Sequence, residues 1–225
     1  ETNTPILNVS VSKGDMMFAK HPVMIGHFDY DGIYSAESIA NKYLDNALLL
    51  KHRLGLYPGL IGTSEYFYKS GADADFFPGC IVTGLGQSET LNANQLALTV
   101  EKAVSDYLIS HKREAVEMQS NNAKKAIGLS SLLIGAGYGG LPIEGACRAI
   151  LLGIIKANEK VVTLTGLQDL YISEIEFIEL FEDRSISCFN SINTLINGNS
   201  DGMNLGWKEK FIRENPGGRK RLLTD

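Results

Sequence analysis

The spacing of apolar and polar positions along the chain predicts a series of strands. Residues 6–16 alternate between apolar and polar side chains, which is typical of a half-buried β-strand. Residues 21–29 and 79–86 are short apolar runs that end at turn residues, which indicates strands buried on both faces. The strands predicted on these grounds are 6–16, 21–29, 62–71, 79–86, 126–135, 161–167 and 173–183.

Apolar residues at helical spacing predict helices between these strands. The first spans residues 35–55 and ends at a glycine, and the second follows Asn92, whose pairing with Gln95 three residues later predicts a capping box. The third runs from about residue 142 to 157, and the last lies within 186–196. Because strands alternate with helices and several strands are continuously apolar, we predict an α/β fold with a mostly parallel sheet between helical layers.

Composition and charge narrow the class of protein. The chain has 225 residues, of which 44% are hydrophobic and 21% charged, so a folded domain with a core is expected. The net charge of −5 provides no overall attraction to nucleic acid or to an anionic membrane, and neither is expected as a partner. The longest apolar stretch, near residues 146–155, is interrupted by Arg148 and is shorter than the ~20 residues that span a bilayer.

The cysteines, Cys80, Cys147 and Cys188, lie far apart in apolar surroundings. This pattern favours small core residues over a disulfide framework or a metal site, and it fits a reducing, cytoplasmic compartment. We therefore expect no metal and no other cofactor.

We assign residues 1–197 to the α/β domain and residues 198–225 to a linker or tail. The chain begins at Glu1 rather than Met, and its last residues, GGRKRLLTD, have no recognisable structural end. We therefore expect it to be part of a longer protein whose other domains are its partners.

Residues 135–140 spell G-x-G-x-x-G between a predicted strand and a predicted helix. A dinucleotide site also needs an acidic residue at the end of the next strand, about 20 residues further on, to bind the ribose. No acidic residue closes the next predicted strand before Asp169, so a nicotinamide or flavin site is disfavoured.

A second strand runs into glycines at VTGLGQ, residues 82–87. In a parallel sheet both glycine segments lie at the carboxyl edge, where their backbone amides, with the helix start after Pro142, can hold a phosphate. The alternative is that the glycines only permit tight turns and close packing. The phosphate interpretation requires the two segments to be adjacent and the rings of Phe28 and Tyr138 to leave the space between them open.

Four segments, NVSVSKGDMM, VMIGHFDYDG, IVTGLGQ and LLIGAGYGGLPIEGACRAILLGI, resemble in this order the motifs of a macro domain. The run IVTGLGQSETLNANQLALTVEKAVSDYL is also similar to the macro-like N-terminal domain of leucine aminopeptidases. With GLYPGLIGTSE and EFIELFEDR, almost the whole chain resembles the macro-like module found beside CHAT domains, caspase-like peptidases of bacterial conflict and defence systems. The resemblance implies a three-layer α/β/α fold with a mixed, mostly parallel sheet and a site for ADP-ribose.

The macro-domain resemblance also implies binding residues. Asp15 would contact an adenine amino group, and the glycine segment near residue 137 would wrap the diphosphate. The candidate ligand-binding residues are Asp15, His27, Gly84, Gly86, Gly135, Gly137, Tyr138 and Gly139. No catalytic residue is assigned, because residues 26–29 replace the NAAN segment of macro domains that process ADP-ribose, and the catalytic half of leucine aminopeptidases is absent.

Several polar residues also have a purely structural interpretation. Asp15 is either a ligand contact or a turn residue that bonds its own backbone. His27, with Asp29 on the same strand face, is either an oriented base or a structural residue. Glu174, Glu176, Glu179 and Glu182 could be metal ligands, but Glu174 and Glu176 alternate with apolar residues and no histidine joins the group, which predicts a solvated face rather than a metal site.

We therefore expect a non-catalytic macro-like scaffold or ligand-sensing module of a larger bacterial protein, with other domains, such as a CHAT-type protease, as partners. The alternative is a macro domain that binds ADP-ribose or another nucleotide, or one that hydrolyses ADP-ribosyl groups. In the ligand-sensing and macro-domain interpretations a small nucleotide-type ligand would bind at the carboxyl edge of the sheet, whereas a scaffold needs no ligand.

Overall fold

A computed structural model describes residues 5–69, 77–117, 127–198 and 202–219 of the chain. The strands are β1 (Leu7–Lys13), β2 (Val23–His27), β3 (Ser64–Phe67), β4 (Cys80–Gly84), β5 (Ile127–Ser131), β6 (Ile172–Glu179) and β7 (Leu205–Glu214). The α-helices are α1 (Ser35–Tyr43), α2 (Ala47–Arg53), α3 (Ala93–Glu117), α4 (Ile143–Thr165) and α5 (Glu182–Asn197).

The described strands form one sheet in the order β3-β4-β2-β5-β6-β1-β7. Every pairing between them is parallel except that of β3 with β4, which places an antiparallel strand at one edge. The predicted mixed, mostly parallel sheet is therefore confirmed. Because the strands are parallel, the carboxyl ends of β2, β4, β5 and β6 meet along one edge, where ligands of such sheets bind.

Each face of the sheet has its own hydrophobic core, as the period-two alternation of strand side chains requires. Met24 of β2 belongs to the larger core, which α3, α4 and α5 cover. Its neighbours Val23 and Ile25 belong to the smaller core, with Ala40 of α1 and Leu48 of α2. The three layers predicted from the sequence are therefore confirmed.

The single helix predicted over residues 35–55 is wrong, because the chain breaks between α1 and α2. Asp45 and Asn46 adopt left-handed backbone conformations, with φ of 53° and 62°. The side chain of Asn41 holds the break, since it donates to Asn46 Oδ1 at 3.0 Å and accepts from the Leu49 amide at 2.9 Å. Such side-chain bonds compete with helical ones and are typical of asparagine.

The strand predicted over residues 161–167 is also wrong, because α4 continues through Thr165. Val161 is 4% exposed and extends the buried face of the helix, so tertiary packing outweighs the strand preference of the β-branched residues. Asn158 ties this end of α4 to β6, donating to the Ile172 carbonyl at 2.9 Å and accepting from its amide at 2.8 Å. The helix ends at Gly166, whose φ is 71°.

The expectation of a linker from residue 198 onward was wrong for residues 205–214. They form β7, which pairs in parallel with β1 and completes the sheet on that side. Two ion pairs join β7 to the neighbouring strands. Lys13 Nζ lies 2.7 Å from Glu214 Oε1, and Arg213 Nη2 lies 2.9 Å from Glu176 Oε1. Residues 220–225, including two of the three basic residues of GGRKR, lie outside the described part.

The predicted solvated face of β6 was wrong at Glu176, which is 1% exposed. Four donors surround its carboxylate: Ser12 Oγ at 2.6 Å, Ser130 Oγ at 2.8 Å, the Lys20 amide at 2.9 Å and Arg213 Nη2 at 2.9 Å. A buried carboxylate is tolerated where its acceptor sites are filled in this way. Glu176 is therefore a structural centre that joins β1, β5, β6 and β7.

Candidate functional site

Two cavities open at the carboxyl edge of the sheet and share the rings of Phe28 and Tyr138. One, of about 240 Å³, is lined mainly by apolar and glycine residues around 25–28, 132–136 and Gly139, with Glu179 as its charged group. We call it the glycine-loop cavity. The other, of about 330 Å³, is lined by Phe28, Asp29, Tyr30, Asp31, Gln87, Ser88, Glu89 and Tyr138. We call it the acidic cavity.

The glycine loop, residues 135–140, follows β5 and precedes α4. Gly135 and Gly137 have φ of 79° and 85°, conformations that favour glycine. Two backbone hydrogen bonds within the loop hold its shape: the Leu141 amide donates to the Gly135 carbonyl at 3.1 Å, and the Gly140 amide donates to the Gly137 carbonyl at 2.9 Å. The amides of Gly135, Tyr138 and Gly139 donate to no carbonyl of the described residues. Unpaired amides in a tight glycine turn at a helix start form an anion-binding concavity.

Residues 84–86, which we call the β4 loop, do not share this property. The amides of Gly84, Leu85 and Gly86 donate to the carbonyls of Thr63, His27 and Gly59, each at 2.8 Å. A Cβ atom at Gly84 would also collide with the Leu60 carbonyl and with Thr63. This corrects the expectation that Gly84 and Gly86 offer amides to a ligand, because these glycines allow close backbone packing instead.

The two loops are adjacent, as the phosphate interpretation requires. Leu85 and Gly135 line the glycine-loop cavity together, and Gln87 and Tyr138 line the acidic cavity together. The rings of Phe28 and Tyr138 meet edge to face, with centroids 5.6 Å apart, and Tyr138 is 78% exposed. The ring pair therefore borders both cavities.

His27 does not pair with Asp29, which corrects the suggested oriented base. Its side chain is 4% exposed on the α1/α2 face of the sheet, and its Nδ1 lies 2.9 Å from Glu37 Oε1. Tyr57 donates its hydroxyl to the same oxygen at 2.8 Å. Burial and the Glu37 charge raise the pKa of the Tyr57 hydroxyl well above its usual range, which keeps it a donor. His27 lines neither cavity and has the structural role.

Asp15 also lies outside both cavities. Its Oδ1 accepts the Met17 amide at 3.0 Å and caps a short 3-10 helix, Met16–Phe18. Residues 215–219, which we call the strap, cross the carboxyl ends of β1 and β6 beside it. The Asp15 amide donates to Pro216 at 3.1 Å, and the Cβ position of Gly217 is 2.9 Å from that of Asp15. The turn interaction is therefore present at Asp15, and its contact with an adenine amino group stays a prediction.

The strap covers β6 as well as β1. The Arg219 amide donates to the Leu180 carbonyl at 2.8 Å, and the Glu182 amide donates to the Arg219 carbonyl at 3.3 Å. The accessible part of the carboxyl edge is therefore the part formed by β2, β4 and β5, together with Glu179 at the end of β6.

Glu179, which was expected on a solvated face, lines the glycine-loop cavity and pairs with Arg184, which the sequence analysis did not single out. Arg184 Nε lies 3.0 Å from Glu179 Oε2, and its Nη2 lies 3.3 Å from Glu179 Oε1. Burial raises the pKa of the Glu179 carboxyl even though Arg184 lowers it. The available signal was the position of Glu179, which is a carboxylate at the carboxyl end of a central strand.

The cysteines behave as predicted, as small core residues. Cys80, Cys147 and Cys188 are all buried and free. Cys147 and Cys188 place their sulfur atoms 3.7 Å apart between α4 and α5. Burial raises the pKa of the Cys188 thiol, so it remains protonated and unreactive.

In residues 5–69, 77–117, 127–198 and 202–219, no group of three or more His, Cys, Asp and Glu side chains is arranged to hold a metal ion. Within the same ranges no helix has the length and apolar character needed to cross a membrane.

Comparison with solved structures identifies the architecture. A macrodomain variant of Oceanobacillus iheyensis with ADPR aligns over 87% of this chain and 97% of its own, with 16% identity and a TM-score of 0.55. The macrodomain of the same organism with ADP aligns over 87% and 95%, with 15% identity and a TM-score of 0.55. A Trypanosoma brucei macrodomain in complex with ADP aligns over 82% and 69%, with 12% identity and a TM-score of 0.53.

Searches with protein-family models and among curated proteins find no match. The chain nevertheless has the macrodomain fold, because the structural alignments cover most of it and of each macrodomain. At such low identities the similarity establishes the fold alone.

Proposed function

We propose that the chain binds an ADP-ribose-type nucleotide and that its glycine loop holds the diphosphate. The observation that carries this proposal is the set of unpaired amides at Gly135, Tyr138 and Gly139, beside an open cavity and the first turn of α4. Backbone amides and a helix start together favour phosphate oxygens. Macrodomain structures with ADP and with ADPR share this fold, which supports the same ligand class.

The acidic cavity suits the sugar of such a ligand. Asp29, Asp31 and Glu89 line it, and carboxylates accept hydrogen bonds from hydroxyl groups while they repel phosphate. In the proposed pose, the diphosphate lies on the glycine loop and the terminal ribose extends past the Phe28 and Tyr138 rings into the acidic cavity. Asp15 lines neither cavity and caps the Met16–Phe18 helix, so adenine recognition at Asp15 is not part of this proposal.

The proposed role is binding without catalysis. The residues lining the two cavities include no histidine, cysteine or lysine. His27, the nearest candidate base in the sequence, is enclosed with Glu37 and Tyr57 and lines neither cavity. We propose a ligand-sensing module of a larger, cytoplasmic bacterial protein, with other domains, such as a CHAT-type protease, as its partners.

A pure scaffold is the second candidate, and two observations favour it. The β4 loop uses its amides for packing, and the strap closes the β1 side of the edge. A scaffold of this kind would position neighbouring domains and bind no nucleotide.

Calorimetry with ADP-ribose on the wild type, Gly137→Val and Gly140→Val separates the two candidates. Gly137 and Gly140 both have positive φ, of 85° and 73°, so the backbone strain of the two variants is matched. A side chain at Gly137 would project toward Arg184, whereas no atom lies within 4 Å of the Cβ position at Gly140. We expect the wild type and Gly140→Val to bind and Gly137→Val to lose binding. Absence of heat with the folded wild type would leave only the scaffold.

A further inference from the structure

Only two of the three nitrogens of the Arg184 guanidinium donate hydrogen bonds to described residues. Glu179 takes its Nε and Nη2 in a two-point contact, at 3.0 and 3.3 Å. Nη1 has no acceptor among the described residues and lies 3.9 Å from the Cβ position of Gly137. Since an arginine fork is planar and rigid, the contact with Glu179 fixes the direction of Nη1. That direction is toward the glycine loop.

Helix electrostatics do not account for Arg184 in this position. It lies in the first turn of α5, where the helix dipole disfavours a positive charge. The pair is also largely removed from solvent, with side-chain exposures of 23% for Arg184 and 11% for Glu179. Ordering both side chains costs conformational entropy, and removing both charges from water costs solvation free energy, so the pair by itself is weak evidence for a role in stability.

We propose that Arg184, oriented by Glu179, is the side-chain half of the phosphate site and donates from Nη1 to an anion held on the glycine-loop amides. This inference rests on the proposed function and adds a residue that selects for a charged diphosphate over an uncharged sugar. Guanidinium–phosphate hydrogen bonds are charge-assisted and directional, so Arg184 contributes affinity that the neutral amides lack.

The negative charge of Glu179 also affects a phosphate bound in the cavity. Its carboxylate lines the glycine-loop cavity and would repel a phosphate if Arg184 did not neutralise it. Glu179 is therefore a positioning residue and Arg184 is the contact residue.

The test measures binding of ADP-ribose and of inorganic pyrophosphate by calorimetry, using Arg184→Gln and the control Lys156→Gln. Lys156 is an exposed cation on α4, ~20 Å along the helix from the glycine loop. We expect Arg184→Gln to lower the affinity for both ligands by about tenfold or more. We expect Lys156→Gln to change these affinities by less than about twofold. Binding to Arg184→Gln within about twofold of the wild type would overturn the inference while the proposed function stands.

The double variant Glu179→Gln/Arg184→Gln keeps the inference testable if the single variant is unstable. It removes both charges, so neither is left buried without its partner. We expect the same loss of pyrophosphate binding and a thermal unfolding temperature close to that of the wild type. Unchanged pyrophosphate affinity in this folded variant would refute the role of Arg184. Arg184-dependent binding of pyrophosphate without binding of ADP-ribose would support the inference and reject the proposed function.

Discussion

The β4 loop and the glycine loop are both glycine-rich exits from parallel strands at one edge of one sheet, yet their amides do different things. In the β4 loop, Gly84, Leu85 and Gly86 donate to backbone carbonyls. In the glycine loop, Gly135, Tyr138 and Gly139 line a cavity, and their amides donate to no carbonyl of the described residues. Glycine spacing shows where a backbone can turn tightly, but not whether its amides remain available.

The difference comes from what lies against each loop. Residues 59–63 run beside the β4 loop and supply two of its three acceptors, the carbonyls of Gly59 and Thr63. The nearest side-chain atom to the Cβ position of Gly137 is instead the Nη1 group of Arg184, which is a donor and cannot satisfy an amide. The neighbouring carbonyls give the β4 loop a structural role, whereas the neighbouring Arg184 cation makes the glycine loop suited to an anion.

Hydrogen exchange should show the largest contrast between the loops. We expect the β4-loop amides to exchange about a thousandfold more slowly than those of Gly135, Tyr138 and Gly139, because hydrogen-bonded amides exchange only through opening of the structure. Residue-resolved exchange by NMR measures this ratio. Similar rates in the two loops would contradict the comparison, and added ADP-ribose should slow the glycine loop alone.

Substitution by alanine should have the next largest effect. In Gly84→Ala the new Cβ would collide with the Leu60 carbonyl and lie 2.8 Å from the Gly59 carbonyl carbon, so we expect the free energy of unfolding to fall by about 2–3 kcal/mol. Gly137→Ala is the control, with backbone strain of about 1 kcal/mol and no such collision. Chemical denaturation measures both. An equal loss would show that the β4 loop relaxes freely.

Thr99→Val should have the smallest effect of the three. Thr99 is fully buried on α3, donates to the Gly84 carbonyl at 2.8 Å and accepts from the Gly62 amide at 3.0 Å. Valine keeps the volume but leaves both groups unpaired, so we expect a loss of about 1–2 kcal/mol in the free energy of unfolding. Thr163→Val, at an exposed position of α4, serves as the control and should change stability little. Equal denaturation midpoints for the two variants would show that Thr99 does not anchor the β4 loop.

The two glutamates near the end of β6 illustrate why the site was only partly predictable. Alternation along the strand puts Glu176 and Glu179 on opposite faces. Whether each side chain is exposed to solvent depends on segments far away in the chain. Ser12 and Arg213 enclose Glu176, whereas Glu179 lines a cavity. The period of a strand indicates direction, and long-range packing decides burial.

The order of most strands and helices was available from the sequence because local periodicity and capping residues act over a few positions. The capping box is an example, since Asn92 and Gln95 exchange the two predicted hydrogen bonds, each at 3.1 Å. The failures had distant or tertiary causes. Core packing kept Val161 helical, and β7 depends on pairing with β1, about 200 residues earlier.

By itself the sequence determined the layered α/β architecture and the positions of the glycine turns, since both follow from side-chain period and from the backbone freedom of glycine. Only the tertiary structure decided which turn keeps its amides unpaired, that the strap lies beside Asp15, and that Arg184 points at the glycine loop. These features depend on hydrogen bonds and contacts between segments far apart in the chain, and no local pattern of residues encodes which distant carbonyl or guanidinium lies beside a given amide.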